Sequence, residues 1–132
     1  KITLHEAIRF HGHLGPYLVL GILAGNLGLK KTGSKKYFGL EVKVYGADKK
    51  PKSCLVDGLQ LSTGATYGKG SIRKLDGHKI KIEFCNSSNN KKFILIFRES
   101  LIQRLEETKT RRDSELLAKK LYNTDYHKLF NS

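Results

Sequence analysis

The sequence predicts a single α+β domain in which a mostly antiparallel sheet packs against helices. Apolar residues alternate with polar ones over 39–45 and 79–85, as in half-buried strands, and recur at helical spacing in the segments around them. The elements do not follow the repeated strand–helix–strand order of a doubly wound parallel sheet. A chain of 132 residues has the length of one domain, so we expect residues 1–132 to form one unit.

Two helices are predicted in the first quarter of the chain. Thr3 and Glu6 have the spacing of a capping box, which places a short helix over 4–9. Pro16 fits the first turn of a second helix that extends to about residue 29. Each glycine in this second helix costs roughly 1 kcal/mol of helix stability relative to alanine, so we expect the helix to be buried against another backbone. These glycines are Gly21, Gly25 and Gly28.

The remaining elements mix strands and helices. The apolar positions of 53–63 suit a helix on which Cys54, Asp57 and Gln60 share one face. We predict strands at 39–45, 79–85 and 91–98, with a polar turn at 86–90 that makes the last two an antiparallel pair. Amphipathic helices at 100–108 and 113–122 follow, and the final ten residues are expected to form a partly ordered tail.

Positive charge is concentrated in two lysine-rich segments. The formal net charge is +13, of which residues 30–52 and 69–92 hold +11, whereas residues 1–29 have a net charge of only +1. Nucleic acid, an acidic partner protein and an anionic substrate are the ligands that such segments attract. Because the lysines are dispersed and lack interleaved aromatic side chains, we expect a solvated surface and do not expect nucleic acid as a partner.

Membrane and disulfide-rich classes are not favoured. The longest apolar run, 14–29, is interrupted by glycines and is too short for a comfortable bilayer span. Two cysteines that lie 31 residues apart form neither a disulfide framework nor a zinc ribbon. The sequence does not open on a signal-like segment, so we expect a cytoplasmic protein without a membrane span.

The most distinctive segment contains His11 and His13, with a glycine between them and Pro16 soon after. In an extended or turn conformation the two imidazoles project to the same side, whereas on a regular helix they would point apart. Converging imidazoles, together with Cys54 and Asp57, supply the ligand types that zinc accepts. The alternative is that the histidines bond to backbone carbonyls in a turn and that Cys54 is a small buried hydrophobe.

A glycine-rich loop at 63–70 superficially resembles a phosphate-binding loop. It is not a Walker A sequence, because its glycine spacing is one residue short and Gly70 replaces the hydroxyl residue that binds magnesium. Such a loop can nevertheless place backbone N–H groups and the Lys69 amine near an anion. The alternative is an ordinary surface loop.

Taken together, these motifs resemble the FmdE family, which is named for a component of formylmethanofuran dehydrogenase. The matching segments are 11–21 (HGHLGPYLVLG) and 54–70 (CLVDGLQLSTGATYGKG), and the resemblance covers about residues 4–70 directly. It implies an α+β core domain with a pocket where the histidine turn, the Cys-x-x-Asp helix and the glycine-rich loop meet. Members often carry a further C-terminal zinc ribbon; this chain has no such cysteines and resembles a core-only member.

The resemblance implies a role for each of these residues. The candidate catalytic residues are His11, His13 and Asp57, the candidate metal ligands are His13 and Cys54, and the candidate ligand-binding residues are Thr63, Gly64, Thr66 and Lys69. A divalent metal is the implied cofactor, with zinc the first choice and a site without metal the alternative. Many relatives have cysteine where this chain has Gly15 and Ala65, which disfavours a soft or redox-active metal.

Three functions follow from these observations. The first is an accessory subunit or stand-alone protein, linked to one-carbon metabolism and molybdenum or tungsten enzymes, that binds a metal or a small-molecule ligand. The second is a small metal-dependent hydrolase or lyase that uses the same pocket, and the third is a basic protein that binds nucleic acid or an acidic partner. In the complex of the resembled family the reduction step belongs to a molybdopterin subunit, so the resemblance does not imply a dehydrogenase, and three or four cysteines would be wanted for an iron–sulfur cluster. Whether the chain is an enzyme, forms a homodimer or joins partner subunits of a larger enzyme complex stays open.

Overall fold

The computed structural model describes residues 1–132 and confirms the α+β class, with five α-helices and a five-stranded sheet. The helices are α1 (Leu4–His11), α2 (Pro16–Thr32), α3 (Cys54–Thr63), α4 (Glu99–Glu107) and α5 (Arg111–Tyr122). The strands are β1 (Leu40–Tyr45), β2 (Ile72–Leu75), β3 (Lys81–Asn86), β4 (Lys92–Phe97) and β5 (Phe130–Asn131). A single 3₁₀ turn at Tyr126–Lys128 precedes β5.

The sheet has the strand order β2-β1-β3-β4-β5. Only β1 and β2 are parallel, and the other three neighbouring pairs are antiparallel, as expected for a mostly antiparallel sheet. Buried residues alternate along β1 and β3, so that one face of the sheet lies under the helices. Helix α2 lies centrally in the helical layer, where it contacts α3, α5 and the strands β3 and β4.

The two edge strands, β2 and β5, were not predicted from the sequence. In β2 only Ile72 is fully buried, and a strand of four residues with one buried position shows no measurable alternation. The two residues of β5 lie within the segment expected to be a partly ordered tail, yet Leu129 and Phe130 are buried in the core. Both strands exist because a neighbouring strand offers backbone partners, which is a tertiary effect.

The predicted starts of α1 and α2 agree with the structure, while their ends differ, and α5 begins at Arg111 instead of residue 113. The capping box of Thr3 and Glu6 is formed in both directions, and Pro16 is the first residue of α2. However, α1 extends to His11 instead of residue 9, and α2 extends to Thr32 instead of residue 29. Each of these helices ends at a glycine in the left-handed conformation, which is a residue type that adopts it without strain.

Helices α2 and α3 are in direct backbone contact. A β-carbon at Gly21 would overlap the carbonyl oxygen of Leu55, and a β-carbon at Gly58 would overlap that of Leu18. The contact therefore needs glycine on both helices. Further along α2, the side chains of Ser62 and Phe84 occupy the space above Gly25 and Gly28. The expectation that the glycine-rich helix is buried against another backbone is thus confirmed.

None of the helices alone has both the length and the apolar content needed to cross a bilayer. Helices α1 and α2 have the required length and apolar content only when taken together, and their axes are bent by 119° relative to each other.

Replacing Gly58 by alanine is expected to destabilise the fold by about 1–3 kcal/mol, because the added methyl group must push α2 and α3 apart. Urea unfolding followed by circular dichroism measures this change. The matched control is Gly68→Ala, since the space beside Gly68 is open apart from an ordinary contact with Thr66. An increase in stability for Gly58→Ala, as at an exposed helical glycine, would refute the close contact.

Candidate functional site

The histidine turn connects the end of α1 to the start of α2. His11 is the last residue of α1, Gly12 caps the helix with φ at +106°, and Gly15 precedes Pro16 in an extended conformation. This sharp turn brings the rings of His11 and His13 together, with their centroids 4.8 Å apart. The two imidazoles converge because the glycine between them takes a backbone conformation that other residues rarely adopt.

His11 forms a close pair with Asp57 in the first turn of α3. The distance between His11 Nδ1 and Asp57 Oδ2 is 2.5 Å, and only 10% of the His11 side chain is exposed. An ionised carboxylate can only accept a hydrogen bond, so Nδ1 carries a hydrogen, and in the neutral imidazole Nε2 is then the acceptor. This Nε2 atom is buried and has no hydrogen-bond partner in the protein.

A cavity of about 390 Å³ adjoins the histidine turn. Its walls include His11, His13 and Cys54, together with Leu14, Pro16 and Tyr17 from the start of α2. A second set of wall residues comes from the end of α4, the connection that follows it and the start of α5: Leu105, Thr108, Arg111 and Ser114. Sequence reasoning did not identify this second set, because no local pattern indicates that a connection some 100 residues downstream folds over the histidine turn.

Asp57 lies behind His11 and does not line this cavity. It borders a separate hollow of about 260 Å³ together with Tyr67 and Lys74, and His11 and Cys54 contribute to the walls of both spaces. The catalytic candidates therefore do not all face one space. His13 lines only the larger cavity, Asp57 lines only the smaller hollow, and His11 lines both.

Burial governs the chemistry of the two other reactive groups in the cavity wall. Burial, followed by the negative charge of Asp57, raises the pKa of the Cys54 thiol, which Lys50 opposes only weakly. Burial, followed by the charge of Glu106, likewise raises the pKa of Tyr17. At neutral pH both groups are therefore protonated, so Cys54 is a poor nucleophile and Tyr17 keeps its hydroxyl hydrogen.

The donor set does not fit a resident zinc ion. Zinc sites need three or four converging ligands, and no three His, Cys, Asp or Glu side chains of this chain form such a group. The bond from His11 Nδ1 to Asp57 is the outer-shell bond that a metal-bound imidazole usually makes, and it leaves only Nε2 of His11 as a ligand atom. A side chain at position 15 would begin 3.4 Å from the His13 ring, but Gly15 supplies none. The zinc site thus stays a prediction, and this arrangement does not support it.

The glycine-rich loop lies apart from the histidine cavity. None of the four predicted ligand-binding residues, Thr63, Gly64, Thr66 and Lys69, belongs to its walls. Thr63 is buried and donates to the carbonyl of Leu59, and Gly64 lies against Tyr37. The three motifs meet at the smaller hollow, which is lined by His11, by Cys54 and Asp57, and by the loop residue Tyr67. The larger cavity is lined by the histidine turn and the start of α3 but not by the loop.

Most polar groups of the loop are bonded within the protein. The backbone N–H groups of Thr66, Tyr67 and Lys69 donate to the side chains of Ser71, Gln60 and Thr66, respectively. The Lys69 amine donates to the Tyr37 carbonyl and lies over the exposed ring of Phe38. A loop whose donors are used in this way does not form a preorganised anion cradle. The binding role of its four residues stays a prediction.

The raised pKa of Cys54 leads to a prediction for thiol reactivity. Asp57→Asn removes a nearby negative charge, lowers the Cys54 pKa, and should raise its alkylation rate at pH 7.5 by about two- to fivefold. Iodoacetamide labelling in a Cys85→Ser background, followed by mass spectrometry across pH, reports Cys54 alone. An unchanged pH profile would mean that the Asp57 charge does not act on the thiol.

The ligand geometry leads to a prediction for metal content. We expect protein purified without an affinity tag to contain substoichiometric zinc, because too few side chains of the required types converge. Inductively coupled plasma mass spectrometry measures the content. Stoichiometric zinc that disappears in Cys54→Ser and in His13→Ala would contradict this expectation and restore both residues as ligands.

The chain matches a family model described as FmdE, Molybdenum formylmethanofuran dehydrogenase operon, over residues 10–131. It is also similar to a protein of Archaeoglobus fulgidus described as a probable S-adenosyl-L-methionine-binding protein, with 34% identity over 82 residues. That match covers 58% of this chain but only 22% of the relative's length. The family match, in contrast, extends from the histidine turn to the last strand and includes both walls of the cavity. The chain therefore belongs to the FmdE family.

Proposed function

We propose that this FmdE-family domain is an accessory protein that binds a small organic molecule in the cavity beside His11. The observation that carries this proposal is the His11 side chain itself. His11 lines the cavity, and its side chain is nine-tenths buried. Nδ1 is bonded to Asp57, while Nε2 has no hydrogen-bond partner in the protein.

An unpartnered acceptor in this position is costly unless something binds to it. Leaving a buried polar atom without a hydrogen bond costs about 1–3 kcal/mol. Native structures rarely accept this cost without a reason, and a ligand that donates a hydrogen bond to Nε2 recovers it. Asp57 meanwhile fixes the tautomer, so the acceptor is present before the ligand arrives.

The dimensions and lining of the cavity suit a small organic ligand. Its volume of about 390 Å³ lies within the range of small-molecule sites, which is about 300–1,000 Å³. Apolar walls from Leu14, Pro16 and Leu105 surround a few polar groups, which is the usual composition of such sites. We infer that this binding serves a larger assembly, because the family is named for an operon of formylmethanofuran dehydrogenase.

The curated relative supplies the first ligand to test. S-adenosylmethionine carries a 6-amino group and ribose hydroxyls that can donate to His11 Nε2, and a carboxylate that can bind on the Arg111 side of the cavity. The similarity to the Archaeoglobus protein supports this choice, although it concerns about a fifth of that protein.

A catalytic version of the same site is the second candidate. A histidine oriented by a carboxylate, with its second nitrogen free, is the arrangement of a general base. A hydrolase or lyase would use His11 to remove a proton from the ligand or from water, without any metal step. Mass spectrometry of S-adenosylmethionine incubated with the protein tests this candidate: it requires a cleavage product that is absent with His11→Asn.

The binding proposal predicts that S-adenosylmethionine shifts the imidazole resonances of His11 in ¹⁵N-histidine-labelled protein. His11→Asn should weaken binding by about tenfold or more, since it removes a buried hydrogen-bond acceptor. The control is His5→Asn, because His5 is exposed on α1 and does not line the cavity.

A fragment library screened on the same labelled protein covers ligands other than S-adenosylmethionine. Any compound that shifts His11 in wild type, and binds more weakly to His11→Asn but not to His5→Asn, supports the proposal. If neither S-adenosylmethionine nor any fragment perturbs His11, the cavity is not a binding site and the proposal fails.

A further inference from the structure

One wall of the cavity carries a positive charge, and no carboxylate lines the cavity. Among the lining residues the only charged side chain is Arg111. The surrounding carboxylates lie outside the lining: Asp57 borders the smaller hollow, Glu106 acts on Tyr17, and Glu115 pairs with Arg111. The charge of this space is therefore complementary to an anion.

The start of α5 adds backbone donors at the same wall. Arg111 is the first residue of this 12-residue helix, and Ser114 follows one turn later on the same side. The first amides of a helix have no intrahelical acceptor, and here the Thr110 side chain accepts only from Asp113. The amides of Arg111 and Arg112 are left for solvent or for a ligand, and the helix dipole favours a negative group beside them.

The Arg111 guanidinium is available for such a group. Its only ion pair is with Glu115, at 3.5 Å from Nε to Oε1, and both side chains are largely exposed. An exposed pair of this kind contributes little to stability, so a ligand anion can replace the glutamate at small cost. Ser114 lines the same cavity, whereas the Thr108 hydroxyl donates to the Arg104 carbonyl.

The opposite wall provides an independent indication of a ligand. The buried and unpartnered Nε2 belongs to His11, which lines the same cavity as Arg111. Between these two walls the lining is apolar and aromatic, with Leu14, Tyr17 and Leu105. One ligand that touches both walls must therefore have an anionic end, an apolar body and a hydrogen-bond donor.

We propose that the cavity takes a small organic acid, whose carboxylate or phosphate is bound by Arg111 and the start of α5 while a donor group bonds to His11 Nε2. This inference rests on the proposed function and adds the chemical class of the ligand. It also assigns Arg111 as the residue that determines specificity for anions, which no sequence motif indicated.

The test uses the full chain labelled with ¹⁵N and three probes of similar size at constant ionic strength. The probes are benzoate, phenyl phosphate and the neutral benzamide, each carrying a para-hydroxyl group as the hydrogen-bond donor for His11. The anionic probes should shift the amides of 111–114 together with the imidazole of His11. Benzamide should bind at least tenfold more weakly, because it lacks the charge-assisted bonds to Arg111. The stronger of the two anions identifies the headgroup as carboxylate or phosphate.

Arg111→Gln should weaken binding of the better anion by about tenfold and leave benzamide binding unchanged. The matched control is Arg112→Gln, which removes the same charge from the same helix turn at a residue that does not line the cavity. Circular dichroism verifies that both variants keep the helical content of the wild type.

Three results would overturn the inference: equal affinity for benzoate and benzamide, equal losses in Arg111→Gln and Arg112→Gln, or anion shifts confined to α5 without any change at His11. The first two results leave the proposed function intact if benzamide still shifts the imidazole resonances of His11. Loss of every His11 response, including that to S-adenosylmethionine, would instead remove the proposed function as well.

Discussion

The architecture of this domain depends on the backbone contact between α2 and α3. Gly21 and Gly58 face each other at a distance that admits no β-carbon on either helix. Glycine within a helix lowers helix stability, but this close contact requires it because no other residue fits between the two backbones. Because α2 follows the histidine turn and α3 begins at Cys54, this contact also sets how near the two halves of the site can approach.

The His11–Asp57 pair depends on that approach. The two residues lie 46 positions apart in the sequence, at the end of one helix and in the first turn of another, yet their side chains bond directly. The pair leaves one imidazole nitrogen as a defined acceptor and keeps the negative charge of Asp57 out of the larger cavity. A polar pair of this kind fixes the orientation of the imidazole ring, whatever group comes to bind at its second nitrogen.

The glycine-rich loop has a structural role that its composition did not indicate. Gly64, with φ at +79°, packs against Tyr37, and the Lys69 amine is bonded to the Tyr37 carbonyl. The loop thereby anchors the exposed pair Tyr37 and Phe38 at a groove on another side of the molecule. A motif whose donors are used to hold a neighbouring segment has few left for an anion, which explains why a resemblance to a phosphate loop is a weak indicator.

The sequence by itself determined the fold class, the long elements and the two motifs. Alternation and helical spacing are local properties, and the capping box and the proline at the start of α2 act within a few residues. It did not determine the edge strands β2 and β5, whose existence depends on a neighbouring strand. Only the tertiary structure decided that α5 closes the cavity with Arg111 and that the loop lies outside it. The physical reason is that packing between distant segments depends on the shapes and volumes of the side chains that meet. These properties produce no periodic pattern in the sequence.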